Sequence, residues 1–526
     1  MVVASRPRRE AFDASEKPTI LLHAQRIPAT YAADFNLQNL SLLPVEVREV
    51  LVRLLAAFQK ASPDAWLALV GGCARDLLHA RVPSDFDVAI GGLPEKSVIP
   101  ILRQHFPGRV RGVGRTHPVI KLRVPLGGGD GKAGPDRWEI DMVWEHAGAL
   151  DPTVWRQLAS RRDFTINSMA FRLAPEFDAA PELLDPFEGA ADLARLCLRG
   201  VTDQSFTIDP LRVYRAAQMV ARFELQVDPL TEQWIVEGVR SGQLDNLPRE
   251  RVTQEWKSLL LRAERPSAGL EKLRKWGVLE RLNPELTRLA TTPQDVRYHP
   301  EGDVWEHTKM VVDQAARLVR ELYPPATPFE REAVLFGALC HDLGKPYTTV
   351  EHQGQVTAYG HEAAGVIPAQ AWLSRLTLSE ETVQAVLTCV EQHMRPSSLT
   401  RCIDAGELSM RQQINVMRRL VRDVAAAGWR VFLTVCEADK RGRGFPDATT
   451  EPYRPAQVLN PLLVADPSST LPLLRGRDLL ELGHSAGRAL GPILKGLEKA
   501  RDEGIVSTRE EALAWVQQHF PLRPRA

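Results

Sequence analysis

Apolar positions change their period along the chain. Upstream of about residue 185, a helix-like run, "LPVEVREVLVRLLAAFQKA", is followed by "AWLALV", "DFDVAI", "HPVIKLRVPL" and "RWEIDMVW". These four have the length and the β-branched or aromatic content of strands. "GGGDGKAGPD", between the last two, predicts a loop. Downstream, "DPLRVYRAAQMVARF", "RERVTQEWKSLLLRA", "VWEHTKMVVDQAARLVREL" and "EREAVLFGALCHDLG" carry apolar residues at helical spacing. Breaks at "LTRLATTPQDVRYHPEGD" and "RGRGFPDATTEPYRP" predict boundaries, and residues 1 to about 40 hold no sustained period. No short repeat and no low-complexity segment stands out. The pattern predicts an α/β head followed by two or more helical domains.

Composition narrows this picture only slightly. At 526 residues and 44% hydrophobic, the chain can bury several cores. Lys and Arg together number 66, as do Asp and Glu, so net charge neither favours nor excludes a polyanionic partner. Six scattered cysteines, Cys73, Cys197, Cys340, Cys389, Cys402 and Cys436, form no CxxC pair and fit reduced thiols in a cytoplasmic protein. The N-terminus lacks the apolar stretch of a signal peptide, and no run is long enough to cross a membrane.

The first candidate chemistry lies in "LALVGGCARDLLHARVPSDFDVAI". Asp85 and Asp87, two apart on a strand, point to one face. Side by side they repel unless a divalent cation lies between them, and Mg²⁺ is held through a few carboxylates plus substrate phosphates. Gly71 and Gly72 allow close backbone approach to a triphosphate, and Arg75 is a candidate partner for its oxygens. Alone, a DxD or a GG pair is commonplace on structural grounds. Joined as GG-x-x-R-D, about eight residues, then D-x-D, they resemble the signature of the polymerase-β-like nucleotidyltransferases, in the branch of bacterial tRNA nucleotidyltransferases (CCA-adding enzymes) and poly(A) polymerases.

Further stretches carry the same resemblance. "RRDFTINSMAF" is similar to the second motif, which implies that Arg161, Arg162, Asp163 and Asn167 hold the triphosphate and ribose. "DPFEGAADL" resembles the segment joining head to neck. "IDPLRVYRAAQMVARF" resembles the neck helix whose edges template the base, implying that role for Asp209 and Arg212, with Arg215 beside them. A carboxylate accepts from an exocyclic amine and a guanidinium donates to ring nitrogens or carbonyls. "RERVTQEWKSLL" resembles the helix bracing the neck. Ile208 stands where the family commonly has Glu, and it cannot accept a hydrogen bond. The stretch between "EIDMVWEHAG" and "RRDFTINS" is shorter than the family's flexible loop. Glu139 and Asp141 are either a further acidic group near the metals or ordinary strand-end charges.

The second half carries "HDLGKP" with His341 and Asp342, His307 upstream, and His361, His393 and Asp439 downstream. Imidazole and carboxylate suit first-row divalent ions and leave positions open for water, which becomes nucleophilic near neutral pH. The ordered series resembles the HD-domain metal-dependent phosphohydrolases. That resemblance implies His307, His341, Asp342 and Asp439 as metal ligands, with His361 and His393 as further ligands or phosphate contacts. Lys345 would neutralise substrate phosphate; His299 is near the site or a loop residue.

Head, neck and HD motifs in this order resemble the multifunctional CCA type of tRNA nucleotidyltransferase, over about residues 60 to 520. The resemblance implies an α+β chain: residues 1–45 an extension, 46–175 a small mixed-sheet nucleotidyltransferase head, 176–294 a helical neck and RNA-binding body, 295–445 an all-α HD domain, and 446–526 a helical tail. It implies addition of C and A to a tRNA 3′ end from CTP and ATP with Mg²⁺ in the head. It also implies an HD activity of the 2′,3′-cyclic phosphodiesterase, 2′-nucleotidase or phosphatase kind with Ni²⁺, Mn²⁺ or Co²⁺. The partner would be the tRNA acceptor end, not a membrane, and the enzyme a monomer or homodimer. Alternatives are a poly(A) polymerase, a CC-only or A-only enzyme, an HD phosphohydrolase with an inactive head, and a non-catalytic RNA-binding protein.

Overall fold

In the computed structural model the described residues are 40–113, 119–125, 137–174, 181–465, 472–487, 489–502 and 505–521. Residues 1–39 of the expected N-terminal extension and the Gly-rich loop lie outside them. The chain divides into two compact units, Met1–Val201 and Thr202–Ala526.

The first unit is built on one mixed sheet. Helix α1 (Val45–Ala61) leads into β1 (Trp66–Val70), α2 (Gly71–Leu78), β2 (Phe86–Gly91), α3 (Glu95–His105), β3 (Val110–Val113), β4 (Val119–Pro125), β5 (Arg137–Trp144), α4 (Pro152–Ala159), β6 (Ala170–Arg172), β7 (Glu182–Leu184) and α5 (Gly189–Ala194). Strand order is β3-β4-β5-β2-β1-β6-β7. Every neighbouring pair is antiparallel except β2 with β5. The four strands expected from periodicity are all present; β3, β6 and β7 are additional.

β1 is apolar at every position because both faces are covered: all five residues are buried. Its β6 side rests on Trp155 of α4, whose indole donates to Ser168 O at 2.9 Å. Asp185 caps α5 by accepting from Gly189 N (2.7 Å) and Ala190 N (2.9 Å). α5 then places buried Asp192 against Thr165 (2.6 Å) and Arg199 (2.9 Å). "DPFEGAADL" thus locks the second motif into the sheet unit.

The second unit is helical. α6 (Ser205–Ile208), α7 (Arg212–Phe223), α8 (Pro229–Arg240), α9 (Arg249–Arg262) and α10 (Pro266–Lys275) form its first layer. The HD portion uses α11 (Val304–Glu321), α12 (Pro328–Cys340), α13 (His361–Leu373), α14 (Glu380–Gln392), α15 (Arg395–Asp404), α16 (Met410–Asp423) and α17 (Trp429–Arg441). A Thr327/Glu330 capping box starts α12, whose interior is apolar almost all round because α11, α14 and α17 surround it. Trp256 of α9 meets Trp372 of α13 edge-on, ring centroids 5.3 Å apart. Among the described residues no helix is long and apolar enough to cross a membrane.

Candidate active sites

In the sheet unit, β1 delivers the chain directly into α2 at Gly71, whose φ of +61° lies in the left-handed region. A Cβ there would sit 3.2 Å from Arg162 Nη1 and 3.6 Å from Asp87 Oδ2, so the missing side chain opens a cradle between these groups. Asp85 immediately precedes β2, and Asp87 is its second residue. Parallel pairing sets Asp87 opposite Asp141 of β5. Burial, then the charges of Asp141 and Asp85, push the Asp87 carboxyl up to about 6 against the pull of Arg162 and Arg75. Acidic groups crowded in this way could hold a divalent cation. Lys121 of β4 donates to Glu139 at 2.6 Å and to Asp141 at 3.0 Å, balancing the outer part of the cluster.

The expected phosphate ligands divide by burial. Arg75 is 3% exposed. Its guanidinium donates to Asp76 Oδ1 (2.9 and 2.6 Å) and to Asn167 Oδ1 (2.7 Å). Asn167 in turn donates to Asp163 Oδ1 at 3.2 Å. Arg75, Asn167 and Asp163 therefore form one buried chain beneath the cradle. Arg162 reaches the cradle with its guanidinium over the Trp155 ring, while Arg161 is exposed. Gly72 follows in the first turn of α2.

Asp209, Arg212 and Arg215 belong to the second unit. Asp209 follows α6 and accepts from Leu211 N (3.3 Å) and from Arg251 of α9 (2.9 Å). Arg212 opens α7 and is buried; Arg215 pairs with Glu255 of α9 at 3.4 Å. Ile208 is 69% exposed beside Asp209. Arg251 did not emerge from the sequence as a site residue, because "RERV" reads as a solvated helix start.

The HD centre gathers residues from five elements. His307 sits in the first turn of α11, His341 caps α12 and Asp342 follows it, His361 opens α13, His393 caps α14, and Asp439 lies on α17. Asp342 Oδ2 lies 3.1 Å from His341 Nε2 and 3.7 Å from His307 Nε2, while its Oδ1 lies 3.4 Å from His361 Nε2 and 3.9 Å from His393 Nε2. Asp439 Oδ1 is 3.2 Å from His307 Nε2. All six expected residues converge, with His361 and His393 within 3.9 Å of Asp342 and His307 and His341 within 3.7 Å.

Three of the histidines have their tautomer set by a backbone carbonyl. His341, His361 and His393 place Nδ1 at 2.8–2.9 Å from the oxygens of Ala338, Ala358 and Val390. A carbonyl only accepts, so Nδ1 carries the proton and Nε2 presents a bare lone pair. Two such nitrogens face one another 3.2 Å apart at His361 and His393, and His341 Nε2 lies 3.3 Å from that of His307. Lone pairs at this separation repel unless a cation intervenes. The buried Asp342 Oδ2 has no hydrogen bond, although the Lys345 ammonium lies 2.7 Å away as an ion pair. This donor set, two imidazole pairs sharing a carboxylate, fits first-row divalent ions.

Burial pushes the Asp342 carboxyl up, but His341 and Lys345 outweigh it and hold it well below the usual range. Burial and the neighbouring His341 and His361 bring His393 down to about 3, a neutral ligand at any working pH. Beside the cluster lies a cavity of 670 Å³ lined by Lys345, Arg401, Arg443, Tyr298 and Tyr359 among others. Gly344 sets the depth of the centre: a Cβ there would lie 1.9 Å from His361 O and 2.6 Å from Gly365 N, so α13 rests directly on the HD turn.

Residues 67–199 match the poly A polymerase head domain, 224–289 the probable RNA and SrmB-binding site of polymerase A, and 304–427 the HD domain. The chain is similar in fold to the Bacillus stearothermophilus CCA-adding enzyme in complex with CTP (20% identity, 89% of this chain and 96% of that one, TM-score 0.55). It also resembles the Thermotoga maritima CCA-adding enzyme complexed with tRNA (18% identity, 89% and 94% covered, TM-score 0.52). A curated relative from Stenotrophomonas maltophilia, a multifunctional CCA protein, is 34% identical over 447 residues, 84% of this chain and 99% of that one. With that identity across nearly the whole relative, and with head and HD centres in the same order on one chain, this protein belongs to the multifunctional CCA family.

Proposed function

We propose that the protein is a tRNA nucleotidyltransferase that adds C and A to the tRNA 3′ end from CTP and ATP, and that its HD centre hydrolyses a phosphoester. The crowding of Asp85, Asp87 and Asp141 beside the Gly71 cradle carries the first part. Asp85 and Asp87 would hold Mg²⁺, which supplies positive charge for attack of the terminal 3′-hydroxyl on the α-phosphate and for departure of pyrophosphate. Gly71 and Gly72 let the triphosphate approach the backbone, and Arg162 and Arg161 meet its oxygens. Buried Arg75, Asn167 and Asp163 keep that wall rigid. Asp209 and Arg212 of the second unit would read the edge of the base, and Arg251 holds the Asp209 carboxylate by donating to it at 2.9 Å.

In the HD centre, His307, His341, Asp342 and Asp439, with His361 and His393, would hold Ni²⁺, Mn²⁺ or Co²⁺, which makes water nucleophilic near neutral pH. Lys345 and Arg443 supply cations for a phosphate entering the cavity. The natural substrate we favour is a 2′,3′-cyclic phosphate at a damaged RNA end. The six cysteines, all among the described residues, form no disulfide, which suits a cytoplasmic setting.

The deciding experiment supplies tRNAs ending before, within and after CCA with CTP and ATP, singly and together. Addition should stop at the completed CCA. An open-ended A tail, or no incorporation, would overturn the reading.

A further inference from the structure

Glu301 plays no part in the assignments above, yet it touches the HD centre at two points. It lies in the turn before α11, its side chain 2% exposed. Oε1 accepts from His307 Nδ1 and from His299 Nδ1, both at 2.8 Å, and Oε2 accepts from Gly444 N at 2.9 Å. We infer that Glu301 is a positioning residue of the HD centre, aiming His307 Nε2 at the ion and fixing the end of α17 that carries Asp439. The inference rests on the metal-dependent reading of that centre.

The need for a carboxylate follows from where His307 sits. His341 and His393 end their helices, where the last carbonyls lack intrahelical partners and are free to accept from Nδ1. His307 lies in the first turn of α11, where carbonyls are already committed to the helix; Val304 O, for instance, accepts from Thr308 Oγ1 at 2.7 Å. There Nδ1 of His307 bonds to a side chain, Glu301, which sets its tautomer. Glu301 does so while adding negative charge behind the ring, which makes Nε2 a stronger donor to a metal.

Its second oxygen acts on the other ligand. Gly444 follows Asp439 by five residues, and a Cβ at Gly444 would meet Glu301 at 3.0 Å. Glu301 therefore ties the entrance of α11 to the exit of α17. His307 Nε2 and Asp439 Oδ1, 3.2 Å apart, are the ligands those two segments bring together. Every group facing the carboxylate in these three bonds is an N–H. An amide in its place would turn one donor against another, so Glu301→Gln breaks the arrangement with almost no change of shape.

His299, Glu301 and His307 also lie close enough to hold an ion themselves. That would require His307 Nδ1 to give up its proton and Glu301 to leave both histidines. A count of bound metal separates the two arrangements.

The test is titration of the metal-free full-length protein with Co²⁺, followed by calorimetry and by the visible absorption of the bound ion, for wild type, Glu301→Gln, Glu301→Asp and Glu301→Ala. Circular dichroism and the melting curve report whether each variant folds. Glu301→Gln should bind the same number of ions about 10–100-fold more weakly with an altered spectrum, and Glu301→Asp, which keeps the charge, should recover part of the loss. Wild-type affinity and spectrum in folded Glu301→Gln would overturn the inference. Loss of one whole equivalent would overturn it too, by making Glu301 a ligand. If Glu301→Ala unfolds, the Gln and Asp variants decide. Absence of Co²⁺ binding in the wild type would instead refute the metal reading.

Discussion

Asp87 and Asp141 stand opposite each other on adjacent parallel strands, two carboxylates in register with Arg162 as the nearest counter-charge to Asp87. Without a cation this is an unfavourable arrangement. Folding takes Asp87 from 3.8 to about 6, so the native protein holds a proton there that the unfolded chain has lost. Stability is greatest below pH 4 as far as this group is concerned and falls as pH rises through 6, by about 3 kcal/mol.

Asp87→Asn should therefore abolish nucleotide incorporation yet raise the melting temperature of the Mg²⁺-free protein at pH 7.5, with little gain at pH 4. Incorporation of labelled CTP and calorimetric melting at the two pH values check both halves. A lower melting temperature at pH 7.5 would contradict the electrostatic account.

Arg251→Ala removes the partner of Asp209 across a half-exposed ion pair. Such pairs contribute about 0–1 kcal/mol, so melting should barely change. The ratio of C to A incorporation should shift if Asp209, proposed to read the base, is released. An unchanged ratio, measured on tRNA ending in CC and on tRNA lacking CCA, would remove Arg251 from base selection.

Chelation should drive HD hydrolysis to background, and Ni²⁺, Mn²⁺ or Co²⁺ should restore it. Incorporation by the head should return with Mg²⁺ alone. Hydrolysis indifferent to chelator would contradict the ligand set around Asp342.

Gly344→Ala should impair the HD centre while sparing nucleotide transfer. The new methyl would meet His361 O at 1.9 Å, and parting the two segments costs about 1–3 kcal/mol or more. Hydrolysis rate and melting temperature report it; wild-type values for both would show that the contact can relax.

Asp85 and Asp87 were legible as a candidate pair from their spacing, although only Asp87 lies on β2 and Asp85 just precedes it. Asp141 was legible only as one of two readings, a further acidic group or a strand-end charge; its register with Asp87, which no local spacing encodes, brings it to the pair. The HD cluster was legible as residue types and order, but the approach of His361 to Asp342 depends on Gly344 letting α13 descend onto the HD turn. Glu301 was missed because it precedes its helix and sits in "HPEGD", which reads as a boundary. β3, β6 and β7 were missed for brevity; three or four residues show no alternation to count. The motif offers Arg75 as a candidate partner for phosphate oxygens, and only the fold reveals that its guanidinium is buried against Asp76 and Asn167.

Asp342 offers one oxygen to His307 and His341 and the other to His361 and His393. The two oxygens hang from a single carbon, so a twist that favours one histidine pair must swing the opposite oxygen with it. The halves of the cluster are geared together: any substitution that re-aims one histidine pair would disturb its twin, so neither half could be remodelled alone.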